Sequence, residues 1–234
     1  MKTALWLATA LLVALIIITF FYLVRTFRKG MQEAQPGQRN RPLIIILIIL
    51  ALGSIAAAFG WLYTTDVFPP RLLFAVIPML FCAIYFAVFY KPFTNYLHHI
   101  SPASIIYLQT FRFPLELLFL WFMSADVLPV QMTLEGRNPD MLIGITAPFI
   151  AYFGIQKGKL PRWAIISWNI IGLGFLFNIV TIAMLSVPGP MRYFMNEPAN
   201  TLVMEFPFQL IPTFLVPLAL FLHLFSLRQL LRKQ

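Results

Sequence analysis

Seven apolar runs, separated by short polar stretches, make up most of this chain. They span roughly Thr3–Val24, Leu43–Tyr63, Leu72–Tyr90, Ile105–Leu128, Met141–Ile155, Trp163–Ser186 and Phe206–Ser226. A helix needs about 20 apolar residues to cross a hydrocarbon core about 30 Å thick, and all but the fifth run have about that length. The runs are unbroken rather than alternating, so they predict helices and not the strands of a barrel. The fold class is therefore an all-α integral membrane protein: one bundle of about seven transmembrane helices, with residues 1–234 as a single membrane domain. The first run reads as a retained anchor and not a cleaved leader. It is too long, no small-residue cleavage site follows it, and Arg25, Arg28 and Lys29 come directly after it.

Charge adds an orientation. The loops after the first, third and fifth runs, with the C-terminal tail, hold Arg25, Arg28, Lys29, Arg39, Arg41, Lys91, Lys157, Lys159, Arg162, Arg228, Arg232 and Lys233, which is 12 of the 17 Lys and Arg. The other side has Lys2, Arg71, Arg137 and Arg192, while Arg112 lies inside a run. Basic loops stay in the cytoplasm, so the N-terminus is expected outside and the C-terminus inside. The acids divide the other way: Asp66, Asp126, Glu135, Asp140, Glu197 and Glu205 outside, Glu33 inside. A net charge of +9 placed like this is a topology signal with some attraction for anionic lipid, not a nucleic-acid footprint. With 60% hydrophobic and 11% charged residues, the chain lacks the polar surface of a soluble globule. The lone Cys82 permits no internal disulfide and no thiolate metal site.

Local punctuation agrees with helices. Asn138-Pro139-Asp140 reads as an N-cap, a proline at the first helical position and an acid in the first turn. Pro161 opens the sixth run similarly, and Val187-Pro188-Gly189-Pro190 closes it. Trp61, Tyr63, Tyr90, Tyr107, Trp163 and Tyr193 lie near run ends, where aromatic belts sit.

The fourth run carries the candidate chemistry: Leu108-Gln109-Thr110-Phe111-Arg112-Phe113-Pro114-Leu115-Glu116. Arg112 and Glu116 are four apart, share a helix face and are expected to pair, with Gln109 on the same stripe. Glu116 falls near the midplane, and Arg112 about 6 Å toward the cytoplasm. Each charge costs about 2.5–3.5 kcal/mol to insert, so both must face the bundle interior. Pro114 between them removes a backbone donor, which frees a carbonyl near Thr110 and kinks the helix. The functional reading is a polar centre that binds a ligand or relays protons, with Gln109, Arg112, Glu116, Asn169 and Asn178 as its candidates. The plainer alternative is a buried ion pair that fixes helix packing. Asn169 and Asn178 are nine apart and point to opposite faces, which suits glue between neighbouring helices better than one site.

Three other regions offer weaker signals. The last run has Pro207, Pro212 and Pro217 with Gln209 and His223, and predicts a bent helix with freed carbonyls. The short fifth run has Gly144, Thr146, Pro148 and Gly154, an interrupted pattern that can mark transporter sites. The loop from Met132 to Asp140 is dense in polar residues. Asp126, Glu135, Arg137, Asp140 and Glu205 are candidates for an acidic outer vestibule, against the simpler reading of a solvated, capped turn.

No cofactor is expected. The seventh run has no Lys for a retinal Schiff base, and the chain has no phosphate loop, dinucleotide loop or nucleophile elbow. His98 and His99 are adjacent in a loop and do not make a metal site, and no metal is expected elsewhere. The stretches Leu108-Gln109-x-Phe111-Arg112-x-x-x-Glu116 and Met132-Thr133-x-Glu135-Gly136-Arg137-Asn138-x-Asp140 resemble a group of small bacterial inner-membrane proteins with no assigned activity. The resemblance implies a bacterial inner membrane and carries no substrate, cofactor or residue role.

The expected function is a small carrier, channel or ligand receptor built around Arg112 and Glu116. The alternative is a structural or accessory subunit that needs a partner, either a second copy or another membrane protein. A lipid-modifying enzyme is the least supported, because no nucleophile–base set is visible.

Overall fold

The computed structural model describes the backbone of residues 2–34, 41–64, 69–90 and 99–231. Arg39, Asp66, Lys91, His98, Arg232 and Lys233 lie outside the described residues, and so do the side chains of Lys2, Lys29, Glu33 and Arg41. Among the described residues every regular element is helical. Helix α1 spans Lys2–Ala34 and α2 spans Arg41–Ala58. Helix α3, Leu72–Ile84, continues as a π-helical turn over Tyr85–Phe89. Helix α4, Pro102–Leu108, passes through a 3-10 turn, Gln109–Phe111, into α5, Arg112–Ser124. Helix α6, Met141–Phe149, widens into a π stretch, Ile150–Gln156, and α7 spans Arg162–Ser186. A π turn at Ile211–Leu215 leads into α8, Val216–Leu231. Each of the seven apolar runs falls on one of these rods. Among the described residues five helical stretches are long and apolar enough to cross a membrane: Leu5–Arg28, Leu72–Phe89, Pro102–Ser124, Arg162–Ser186 and Ile211–Leu231.

The prolines explain where the helices change pitch. Pro114 has no N–H for the carbonyl of Thr110, and the rod tightens to a 3-10 turn over Gln109–Phe111 just before it. Pro148 likewise leaves the Gly144 carbonyl without its donor, and the π stretch begins two residues later. There the Lys157 N–H donates five residues back, to Tyr152 O, at 2.9 Å. In the last run Pro207 precedes the rod, Pro212 lies in the first turn of the π segment and Pro217 follows it. The Arg228 guanidinium donates to Ala87 O at 2.9 Å, inside the π turn that ends α3.

Helix α8 sits at the centre. It packs on α7, α3 and α4, while α5 packs between α1 and α6. The main apolar cluster joins Leu12 and Ile16 of α1, Leu115 and Phe122 of α5, Leu176 and Ile182 of α7, and Leu222 and Phe225 of α8. A second cluster, with Ala103, Ile106, Ile143, Ala147, Ile165 and Trp168, joins α4, α6 and α7. Helix α6 and its π stretch, of 9 and 7 residues, reach about 24 Å, which is short of a full crossing. Met141 follows directly on the buried Asn138 and Asp140, so α6 starts inside the bundle. The segment before it is folded by its own bonds, such as Asn138 N–H to Thr133 O at 3.1 Å and Gly136 N–H to Thr133 O at 3.0 Å.

Candidate functional site: a buried polar centre

Two glycines, Gly144 against backbone and Gly172 against a side-chain ring, make the close approaches that create the centre. A methyl group added at Gly144 would lie 2.2 Å from the backbone nitrogen of Phe113. Helices α5 and α6 therefore touch main chain to main chain one residue beyond Arg112, and Asp140, one turn before Gly144, comes within reach of the guanidinium. A methyl group at Gly172 of α7 would lie 2.3 Å from Cε1 of His223. The imidazole of α8 thus rests on a glycine, next to Asn169 one turn earlier.

Arg112, 1% exposed, makes a two-pronged ion pair with Asp140: Nε donates to Oδ2 at 2.6 Å, and Nη2 donates to Oδ1. This fork-on-carboxylate geometry is the strong form of a charge-assisted pair. The third prong, Nη1, lies 2.8 Å from His223 Nε2. Arginine can only donate, so Nε2 accepts and the ring proton is on Nδ1. Nδ1 then donates to Asn169 Oδ1 at 3.0 Å, and Asn169 Nδ2 donates to Ile165 O at 2.9 Å. Trp168 lies with its ring centroid 5.4 Å from that of His223, and its Nε1 donates to Thr146 Oγ1 at 2.8 Å. One continuous polar chain therefore ties α5, α6, α8 and α7.

Asn138 serves the head of α6 twice. Its Oδ1 accepts the Asp140 N–H at 3.1 Å, two residues on, in the turn before the helix, whose N-cap position is Asp140 and not Asn138 as the sequence suggests, while Nδ2 donates to Glu116 Oε1 and to Met132 O. Glu116 is 2% exposed, and its Oε2 has no hydrogen-bond partner.

The expected Arg112–Glu116 pair is thus corrected. The two share a helix face, but all three prongs of the guanidinium go to other helices, because the Gly144 crossing brings a carboxylate that a planar fork can grip with two bonds. Asp140 is also moved: it is not part of an outer vestibule but 6% exposed in the centre. Asp126, Glu135, Arg137 and Glu205 are exposed. Among the described residues no three His, Cys, Asp or Glu side chains are placed so that they could hold a metal ion. Asn169 belongs to the centre. Asn178 does not: its Nδ2 donates to Arg137 O at 2.8 Å and pins the loop from Met132 to Asp140 to α7. Gln109 is buried nearby and donates from Nε2 to Ala219 O at 3.2 Å. His223 and Asn138 were absent from the sequence candidates. The signal for both was the short fifth run, which must begin inside the bundle, and an ionisable ring within an apolar run.

Outside the membrane-spanning rods, Arg192 Nη2 donates to Glu197 Oε1 at 2.9 Å and Ala199 N–H donates to Glu197 Oε2 at 2.8 Å. These two bonds, the Arg192 contact first, hold the Glu197 carboxyl below the usual carboxylate range.

Fold and centre together define a helical membrane protein with a buried ionic core. Residues 67–231 match a family described only as a domain of unknown function, DUF8737, and the chain belongs to that family. The matched region contains every residue of the polar centre. No curated protein and no solved structure matches the chain.

Proposed function

We propose that this is a seven-crossing protein of a bacterial inner membrane, N-terminus outside and C-terminus in the cytoplasm. Within the class of small carriers, channels and ligand receptors, we read it as a carrier centred on Arg112, Asp140, His223 and Glu116. The distribution of basic and acidic loop residues supports the orientation. The start of α6 inside the bundle supports a carrier, because interrupted helices put helix N-termini and capping groups at transport sites. The observation that carries the reading is Glu116. A clasp that only fastened helices would be complete with Arg112 and Asp140. Here a second carboxyl is buried beside them with one oxygen unpartnered, although unpartnered buried polar atoms are costly.

The accessory-subunit reading is favoured by a different fact: Arg112 is closed off, with every prong engaged. The two readings differ in access. Take Gln109→Cys with Cys82→Ser, in vesicles of each orientation, and a membrane-impermeant maleimide. A carrier exposes position 109 to each face in turn, so labelling is expected from both sides. Labelling from neither side would overturn the carrier and leave the accessory subunit.

A further inference from the structure

The centre contains one positive charge and two carboxyl groups. Arg112 is matched by Asp140 in the two-pronged pair, and His223 is neutral because its Nε2 accepts from Arg112. Glu116 is then left without a counter-charge. A buried anionic carboxylate with a single side-chain donor is far more costly than a buried neutral carboxyl group with one hydroxyl unpartnered. A metal ion does not fill the gap, because Oε1 faces the amide N–H of Asn138 and no cluster of three ligating acids or imidazoles surrounds it among the described residues.

Among the described residues the charged and titratable groups around Glu116 are few. Arg112 is on its own helix, Asp140 heads α6 and His223 is on α8. Helix α1, packed on α5 from the other side, has no charged residue from Leu5 to Val24. Asn169 is the contribution of α7. The group nearest Glu116 also leads outward: Asn138 adjoins the exposed stretch Leu134–Arg137.

We propose that Glu116 is a proton-binding site that exchanges with the outer face, and that Arg112 responds to it by changing partner. The proposal rests on the carrier reading and names the ion bound at that site. With the proton on Glu116, Arg112 keeps the fork on Asp140 that the structure shows. When the O–H bond of Glu116 breaks, the proton leaves toward the outer water and the electron pair stays on the carboxylate. That new charge lies one helical turn from Arg112, at the spacing where opposite charges attract on a helix. The guanidinium turns toward it and gives up at least one bond to Asp140, which loosens the head of α6 from α5. The centre goes from net neutral to a single negative charge, and reprotonation reverses the exchange.

Two readouts on the full chain in lipid test this. The first is the infrared difference spectrum between acidic and alkaline medium. The wild type is expected to show a protonated-carboxyl C=O band that disappears in alkali and that Glu116→Gln lacks. Should Glu116→Gln fail to assemble, carbon-13 glutamate in a Glu33→Gln chain serves instead, since of the four glutamates that remain Glu135, Glu197 and Glu205 are exposed and Glu116 is buried. A buried-carboxyl band that ignores the isotope, or no band, overturns the proposal. The second is maleimide labelling of Ile143→Cys with Cys82→Ser, at the buried head of α6. Alkaline medium is expected to raise it several-fold more in an otherwise wild-type chain than in one that also carries Glu116→Gln, which has the same thiol chemistry. Equal increases overturn the partner exchange. If position 109 is labelled from both faces but Glu116 gives no band, the proton site falls and the carrier stands. If position 109 is never labelled, the carrier falls whatever Glu116 does.

Discussion

Helix α1 and the rod formed by α4 and α5 are both apolar and of membrane length, yet the bundle holds them differently. Over its most apolar stretch, 22% of α1 is buried, against 61% for the rod from Pro102 to Ser124. Helix α1 is attached by Leu12, Ile16 and ring contacts such as Phe20–Phe214 at 6.0 Å and Phe27–Phe221 at 5.4 Å. Its Trp6, Ile17 and Phe21 point away from the protein. Helix α5 is fixed by the Arg112 charge and by the glycine-enabled crossing with α6 at Gly144, and the Gly172 approach seats the His223 ring that receives the third prong of Arg112. In lipid there is no hydrophobic drive between helices, so shape and polar bonds decide which contacts are rigid. The family match begins at residue 67 and so includes the bonded part and omits α1 and α2.

The comparison can be broken most severely at Arg112. Arg112→Leu leaves Asp140 buried without a counter-charge and is expected to cost about 3–5 kcal/mol, read as loss of thermal stability in detergent. Next come the two glycines. Gly144→Ala forces α5 and α6 apart and Gly172→Ala displaces the His223 ring, each expected to cost about 1–3 kcal/mol in the same assay. Helix α1 supplies the contrast. Ile17→Ala, on a face that is 61% exposed, is expected to stay within about 0.5 kcal/mol of wild type. A loss at Ile17 as large as at Gly144 would remove the distinction between the two regions.

The smallest effect belongs to the loop between α7 and α8 that holds Arg192 and Glu197. The folded-state carboxyl of Glu197 titrates below its unfolded value, so its bonds to Arg192 and Ala199 stabilise the loop above the usual glutamate range, about pH 4.3. That contribution is lost as pH falls through the lower, folded value. The thermal stability of wild type and Glu197→Gln should therefore differ slightly near neutral pH and converge in acid. A difference that grows in acid would reverse the sign.

The helices were legible because run length is a property of the chain alone. The partners of Arg112 were not. The helix-face rule favours the neighbour four residues away, Glu116, but the actual partner is 28 residues off, at the head of a different helix. Asn138-Pro139-Asp140 could be read as a helix start, yet nothing local says that the start is buried. That follows only when the fifth run is seen to be too short to cross a membrane by itself, without the folded segment before it. His223 is hidden for a similar reason: it sits in a Leu- and Phe-rich run, and only Gly172 on α7 makes room for its ring.

The most direct test of the account is a pair of double-mutant cycles on thermal stability in lipid. One combines Arg112→Met with Asp140→Leu, the other Arg112→Met with Glu116→Leu. Sites in contact show interaction energies of about 0.5–3 kcal/mol. The account predicts coupling at the upper end of that range for Arg112 with Asp140, with the double mutant nearer to wild type than either single mutant. It predicts clearly weaker coupling for Arg112 with Glu116. Coupling concentrated in the Glu116 cycle, with Asp140 additive, would contradict it.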